Sequence, residues 1–470
     1  MKKKILILSI LIILCDKTFS QIGKNQSING VWQSIGYGRI LKIDSNRYSY
    51  FDITKIFCLP TKEGNIKDFE NSITVVNDTL FIKQGFTDYF FKRLTKFPNL
   101  CQQKQPDPNN VLHNFEVFAN TYKEHYAYLN LNNINWDSLY TSSKNKINAK
   151  TSEAELYLIM KEMLGILNDN HGSIEPPDEV IDLANKLKEE TTSNNQLKEY
   201  GDFEIAGLVA EHFLTENLTK NSQFVKWGKM DNNIGYVQVN AMNLFADLNL
   251  PESLVKKNGY VQTYFEFYDK FSPSKQVEFE VKGIRSIMDK VMNDLRETQF
   301  IILDVRFNGG GIDEVGLEVL RRFNQIKRRV ARKKARHKNS YTKNAEIYLE
   351  ASEQPYTKPV YILTSQQSAS ASDMMVLSSL ELKQIKRIGS RTYGALSDAL
   401  QKKLPNKWYF SLSNEVYTDN NNVCYESKGI PVDYELNYPE NRQTFFRSVA
   451  NNLEQDKQRV LKAIKELKDK

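Results

Sequence analysis

The sequence predicts an α/β protein whose core follows a helical domain and a small β domain, and three observations predict it. After Gly235, apolar runs such as Ile234–Val239 and residues 300–305 alternate with helical patterns, which is how an α/β core is written in sequence. Ahead of that, Phe115, Phe118, Tyr122 and Tyr126 recur at helical spacing. Earlier still, between about residues 30 and 100, short alternating runs are separated by clusters of Asn, Asp, Gly and Lys. With 470 residues the chain is too long for one ordinary domain and has ample apolar content for real cores.

Taken in order, Lys2-Lys3-Lys4 precedes an apolar stretch at 5–14, and Thr18-Phe19-Ser20 offers small residues before Gln21. Residues 1–20 therefore have the form of a signal peptide, and the chain is expected to be exported, periplasmic or extracellular. Lipid attachment at Cys15 is disfavoured because Leu14 is too large for the position before it. No later apolar run approaches a membrane span, so no transmembrane anchor is expected in the mature chain. Loss of Lys2, Lys3, Lys4, Asp16 and Lys17 with that peptide would take the formal charge from +7 to +4, too mild to argue for a nucleic-acid partner. The local exception is the basic run at 327–338, which suits a solvated face or mobile loop, or else an anion or peptide-carboxylate site. In an oxidising compartment Cys58 and Cys101 could pair and leave Cys424 free, although spacing does not determine the connectivity.

Residues 21–104 are expected to form the small β domain, with strands around 39–43 and 79–83. Pro106-Asp107-Pro108-Asn109-Asn110 breaks that pattern and opens a helical domain at 105–233. His113 and His125 ride in its first helix and are most simply partly buried or surface residues. A second helix, 152–167, places Leu156, Ile159, Met160, Met163, Leu164 and Leu167 on one side and stops at Asn168-Asp169-Asn170-His171-Gly172. Just past a helix C-terminus, His171 would feel a dipole that favours the imidazolium, which suits a base that must collect a proton. It could equally be one residue of a helix stop. An α/β core over 234–440 and a C-terminal helix over 441–470 complete the expected organisation, with no repeat of solenoid period.

Two strand–loop–helix segments in the core carry chemistry. The strand at 300–305 runs into Arg306-Phe307-Asn308-Gly309-Gly310-Gly311, then into a helical pattern holding Val315, Leu317, Val319, Leu320 and Phe323. Consecutive glycines permit positive φ and close backbone approach, and their N–H groups can face an anion. The Lys-Ser/Thr of a phosphate loop and the spaced glycines of a dinucleotide fingerprint are both missing. Val360–Thr364 runs into Ser365-Gln366-Gln367-Ser368-Ala369-Ser370-Ala371-Ser372-Asp373 and a second helical pattern. A strand ending in a tight turn of small residues can expose a serine hydroxyl beside the free N–H groups of a helix start. Ser370 and Asp373 also have the spacing of a capping box, which any helix start can use.

These two segments, with Gly389, Thr392-Tyr393-Gly394 and Glu426-Ser427-Lys428-Gly429-Ile430-Pro431-Val432-Asp433, follow the order and spacing of one family. The chain resembles the C-terminal-processing (tail-specific) serine peptidases, which include the tricorn core and the interphotoreceptor retinoid-binding protein, over roughly 105–440. The resemblance implies a crotonase-like ββα-superhelix core with Ser370 as nucleophile, the amides of Gly310 and Ala371 as oxyanion donors, and no cofactor or metal. In one branch a lysine after the Thr-aromatic-Gly element is the base; here Ala395 follows, and Lys402 and Lys403 are out of register. The tricorn-like branch uses a histidine in a Leu-x-Asp-x-His context, matched by Leu167-Asn168-Asp169-Asn170-His171. His171 is then the implied base, with Asn170 supporting it and Glu426 orienting the site. The implied activity is hydrolysis of peptides or unfolded protein tails, and a non-catalytic binding protein for an apolar ligand or cell-surface partner is the alternative on the same scaffold. The span from His171 to Gly235 is too short for the PDZ domain common in the family. Substrate selection would then fall to the β domain or to an insertion at about 246–276.

Overall fold

The computed structural model describes residues 27–69, 72–188 and 197–469; the signal peptide expected at 1–20 and Cys15 lie outside these described residues. The first unit is a seven-stranded antiparallel sheet in the order Cys58–Asn65, Arg47–Ile53, Arg39–Asp44, Gly30–Ser34, Thr87–Leu94, Thr79–Gln84, Ile73–Val76. Alternation places Trp32, Leu41, Ile43, Tyr48, Leu80 and Phe91 in one small core, as a half-buried sheet requires. A Cys58–Cys101 disulfide ties an outer strand to the segment leaving the domain, and Cys424 is free.

Helices Val111–His125, Trp136–Lys144 and Glu153–Leu167 follow. The third begins in a capping box of Ser152 and Glu155 and ends at Asn168, which takes φ 50° and so closes the helix in the left-handed region that Asn tolerates better than most side chains. The apolar faces of these helices share a core with Leu400, Phe410 and Leu412. Those residues belong to a three-stranded sheet in which Tyr409–Ser413 lies between Ala399–Lys403 and Ser173–Glu175. The chain just after His171 is thereby pinned to a strand nearly 240 residues downstream.

The central sheet also has seven strands, in the order Tyr434–Glu435, Ile385–Gly389, Val360–Thr364, Ile301–Asp304, Ile234–Val239, Val225–Met230, Glu216–Asn217. The first five are mutually parallel, and Val225–Met230 runs antiparallel to both of its neighbours. Pro273–Leu295, Asp313–Arg321 and Ala371–Ser379 cover one face; Asp202–Phe213, Arg442–Ala450 and Leu453–Lys468 cover the other. The result is the mixed α/β architecture expected, with two differences of detail. Strands Glu216–Asn217 and Val225–Met230 lie in what the sequence suggested was helical territory, and the C-terminal helix is two helices. Arg306 anchors the second of these: fully buried, it pairs with Asp304 at 2.6 Å and Asp456 at 2.6 Å and donates to the Tyr438 hydroxyl, the pairing a buried charge requires.

The basic run is neither a loop nor a purely solvated face. Arg328–His337 is a strand paired with Ala345–Leu349 on one side and Glu415–Thr418 on the other, with Val330, Ala331 and Ala335 buried. Lys333 is buried as well, and its ammonium meets Asp398 at 2.9 Å, Glu415 at 3.2 Å and the Tyr417 hydroxyl at 3.1 Å. Among the described residues, no helix is long and apolar enough to cross a membrane.

Candidate active site

Three loops meet beyond the C-terminal ends of the parallel strands Ile301–Asp304, Val360–Thr364 and Ile385–Gly389, where open α/β sheets place their ligands. The Val360–Thr364 strand is followed by a turn closed by Ser365 and Ser368, whose hydroxyls donate to the carbonyls of Arg306 and Val305 at 2.6 and 2.8 Å. That turn delivers Ser370 to the first residue before helix Ala371–Ser379 with φ 55° and ψ −119°. Such a conformation is sparsely populated for a residue with a Cβ and persists only where the surroundings hold it.

The capping box expected of Ser370 and Asp373 is half made. Asp373 Oδ2 accepts the Ser370 amide at 2.9 Å, but the serine hydroxyl points elsewhere: its Oγ lies 3.3 Å from His171 Nε2. The two residues are 199 positions apart, and the fold alone brings them together.

His171 is held by its backbone. Its amide donates to Asp169 Oδ1 at 3.1 Å, and its carbonyl accepts the Ser411 hydroxyl at 2.5 Å. Asp169 is fixed in turn by the Ser413 hydroxyl at 2.6 Å and the Ser413 amide at 3.0 Å. Nδ1 of the imidazole is buried with no hydrogen-bond partner among the described residues. The pull of the helix dipole toward an imidazolium is not what prevails: burial pushes the His171 pKa below its ordinary value, and the nearby Asp169 and Asp398 charges offset this only in part.

The remaining residues singled out from sequence are nearby, in different roles. Asn170 does not meet the imidazole; its side-chain amide donates to the Gly394 carbonyl at 2.9 Å. Glu426 likewise makes its bonds to backbone, accepting the amides of Leu396 at 2.8 Å and Ser397 at 3.1 Å. Asp373 accepts the amides of Gly394 and Ala395, each at 2.9 Å. Four consecutive amides, 394–397, are thus taken by two buried carboxylates, and the loop becomes a rigid wall beside Ser370. Burial raises both acids, Asp373 to about 6 and Glu426 to about 8, against the lowering effect of those N–H donors.

The triple-glycine loop also reaches the site. Gly310 has φ 108°, and a Cβ there would lie 2.6 Å from Ser370 Cβ and 3.1 Å from the Ala371 amide nitrogen, so only glycine fits. Its N–H, the oxyanion donor implied by the resemblance, here donates to Asn308 Oδ1 at 2.9 Å. Asn308 itself is buried and donates to the Val239 carbonyl, so the glycine turn is locked from within. The Ala371 amide, at the first turn of its helix, has no partner among the described residues and remains available. Lys402 is far from a base position: it is buried against Asp52 at 2.6 Å and two carbonyls of the β domain. Asp169, Ser411 and Ser413 were not singled out from sequence, and Asp373 was singled out only as a helix-capping residue. Of the first three, Asp169 alone carried a local signal, its place in the Leu-x-Asp-x-His stretch.

Residues 233–436 match the family model described as peptidase family S41, and residues 107–165 match that of the tricorn protease C1 domain. No curated protein matches the chain. Among solved structures, a candidate peptidase from Parabacteroides merdae ATCC 43184 is 19% identical with a TM-score of 0.53, over 74% of this chain and 98% of that one. Mature CPAF is 10% identical with a TM-score of 0.51, over 76% of this chain and 98% of its own. At these identities the two structures speak for a shared fold.

Proposed function

We propose that this chain is a member of peptidase family S41, whose model matches residues 233–436, and that it is an exported serine peptidase in which Ser370 is the nucleophile and His171 the base. The observation that carries the proposal is the 3.3 Å approach of His171 Nε2 to Ser370 Oγ with the serine in a strained backbone conformation. A nucleophile and base within such reach, often loose in the resting state, is the geometry of acyl transfer. A pKa below the ordinary histidine value keeps the imidazole neutral and able to accept at neutral pH.

In this mechanism Ser370 Oγ attacks the scissile carbonyl as its proton passes to His171 Nε2. The oxyanion receives the Ala371 amide, and Gly310 contributes only if its N–H leaves Asn308. His171 then protonates the departing amine, and water, deprotonated by the same nitrogen, releases the acyl group and regenerates Ser370. Asn170, Asp373 and Glu426 act as positioning residues through the 392–397 loop. Export rests on the Lys2-Lys3-Lys4 and apolar 5–14 pattern, and peptides or unfolded protein tails are the substrates proposed.

The test is mass-spectrometric analysis of an unfolded-protein and peptide mixture incubated with the mature protein or with Ser370→Ala. Products formed by the wild type alone support the proposal; identical products from both, or none from either across pH 5–9, overturn it.

A further inference from the structure

A second cavity, lined by none of the residues at Ser370, lies elsewhere in the molecule. It measures about 840 Å³ and lies between the β domain, the junction at 269–275 and the strands Ala399–Lys403 and Tyr409–Ser413. That volume is at the upper end of what ligand sites usually enclose.

Its chemistry is uneven in a telling way. Tyr48, Tyr50, Tyr89, Phe69 and Phe91 line it from the β domain, and Tyr48 and Tyr50 pack against Phe69. The Tyr50 and Tyr89 hydroxyls bond to no described residue, so two phenolic donors on half-buried rings are left for an occupant. The cations Lys62, Lys67, Lys83, Lys270 and Lys403 also line it, none with an ion-pair partner among the described residues. The acids are fewer. Asp52 is already neutralised by Lys402 at 2.6 Å, and Asp68 is bonded to the Tyr48 hydroxyl, which leaves Asp269. Ammonium groups and phenolic hydroxyls together are donors for carboxylates, and the aromatic rings accept apolar or planar groups between those carboxylates.

The cavity and the proposed active site share one strand, Tyr409–Ser413. Tyr409 lines the cavity, and Ser411, two residues on and so on the same strand face, holds the His171 carbonyl and the Ser173 hydroxyl. Two strand residues span about 7 Å. A cavity built on the strand that also holds the His171 backbone is placed to receive another part of a chain that enters the catalytic loops, which favours a peptide over a free small anion. We propose that this cavity binds acidic, aromatic-containing segments of the substrate; the proposal deepens the peptidase function above and rests on it.

The experiment is titration calorimetry on full-length mature Ser370→Ala protein. The probes are an unstructured peptide with alternating Glu and aromatic residues and its Gln counterpart. The acidic peptide should bind at least about tenfold more tightly at low salt, with the margin shrinking as salt is raised. The exposed-side-chain variant Lys62→Glu/Lys67→Glu/Lys83→Glu in the same background, checked for an unchanged melting profile, should lose the preference. Equal binding of the two peptides, or a preference that survives the triple variant, overturns the proposal. So does binding of an acidic oligosaccharide such as oligogalacturonate with no binding of the acidic peptide. Because the Ser370→Ala protein hydrolyses nothing under the mechanism above, this outcome is separate from the test of Ser370 as nucleophile.

Discussion

Asp373 holds the backbone of Ser370 while leaving its hydroxyl free: Oδ2 accepts the Ser370 amide at 2.9 Å, and the serine Oγ turns to His171 instead. The same carboxylate accepts the amides of Gly394 and Ala395. Asp373→Ala would strand three N–H groups, each costing about 1–3 kcal/mol when buried without a partner. Denaturant unfolding of that variant should show a loss of roughly 3 kcal/mol or more, with Asp373→Asn in between. Wild-type stability in Asp373→Ala would show that the loop does not depend on this acid.

Gly310 tests the close packing behind Ser370. A methyl group there meets Ser370 Cβ at 2.6 Å and Ala369 O at 2.7 Å, on a backbone at φ 108°. Gly310→Ala should displace Ser370 and reduce kcat by at least about a hundredfold, since misplacement on the order of 1 Å has that effect. Steady-state kinetics beside a melting curve separates this from simple unfolding; full activity in a folded variant would contradict it.

Glu426 makes stability depend on pH in a definite direction. Its pKa is about 8 in the folded chain against an ordinary 4.5, so between those values the folded state holds a proton that the unfolded state has released. The stabilisation is complete below about pH 4.5 and is lost as pH rises through 8. Glu426→Gln keeps an acceptor for the Leu396 and Ser397 amides but cannot ionise. Thermal melts from pH 5 to 8 should therefore fall less steeply with pH in the variant, whereas parallel curves would remove Glu426 as the cause.

Burial of His171 sets the acid limb of the rate profile. With its pKa held below 6.5, the imidazole should be largely in its basic form at neutral pH. The lower midpoint of kcat/KM against pH, which reports the free enzyme, is expected below 6.5. A midpoint above 7 that disappears in His171→Ala would instead mean that neighbouring charge outweighs burial.

Local pattern revealed what local physics controls. The serine turn after Val360–Thr364, the glycine turn after Ile301–Asp304 and the end of helix Glu153–Leu167 at Asn168 each have a residue signature at the position concerned. Roles that depend on a distant partner were not legible. Asn170 and Glu426 have side chains suited to support an imidazole, yet the path of the 392–397 loop gives them backbone partners. The basic run misled for a related reason. Composition suggested solvent, but Lys333 is buried because Asp398 and Glu415 come from strands and loops 65 and 82 positions away. Val225–Met230 was hidden in a segment whose neighbours are helical, and it becomes a strand by pairing with Ile234–Val239.

The most direct measurement of the central claim is intact-protein mass spectrometry after treatment with a serine-reactive fluorophosphonate, with peptide mapping of the adduct. One adduct per chain is expected, on Ser370, formed orders of magnitude more slowly in His171→Ala and absent in Ser370→Ala. Modification at another serine, or a rate unaffected by His171→Ala in a folded protein, would contradict it.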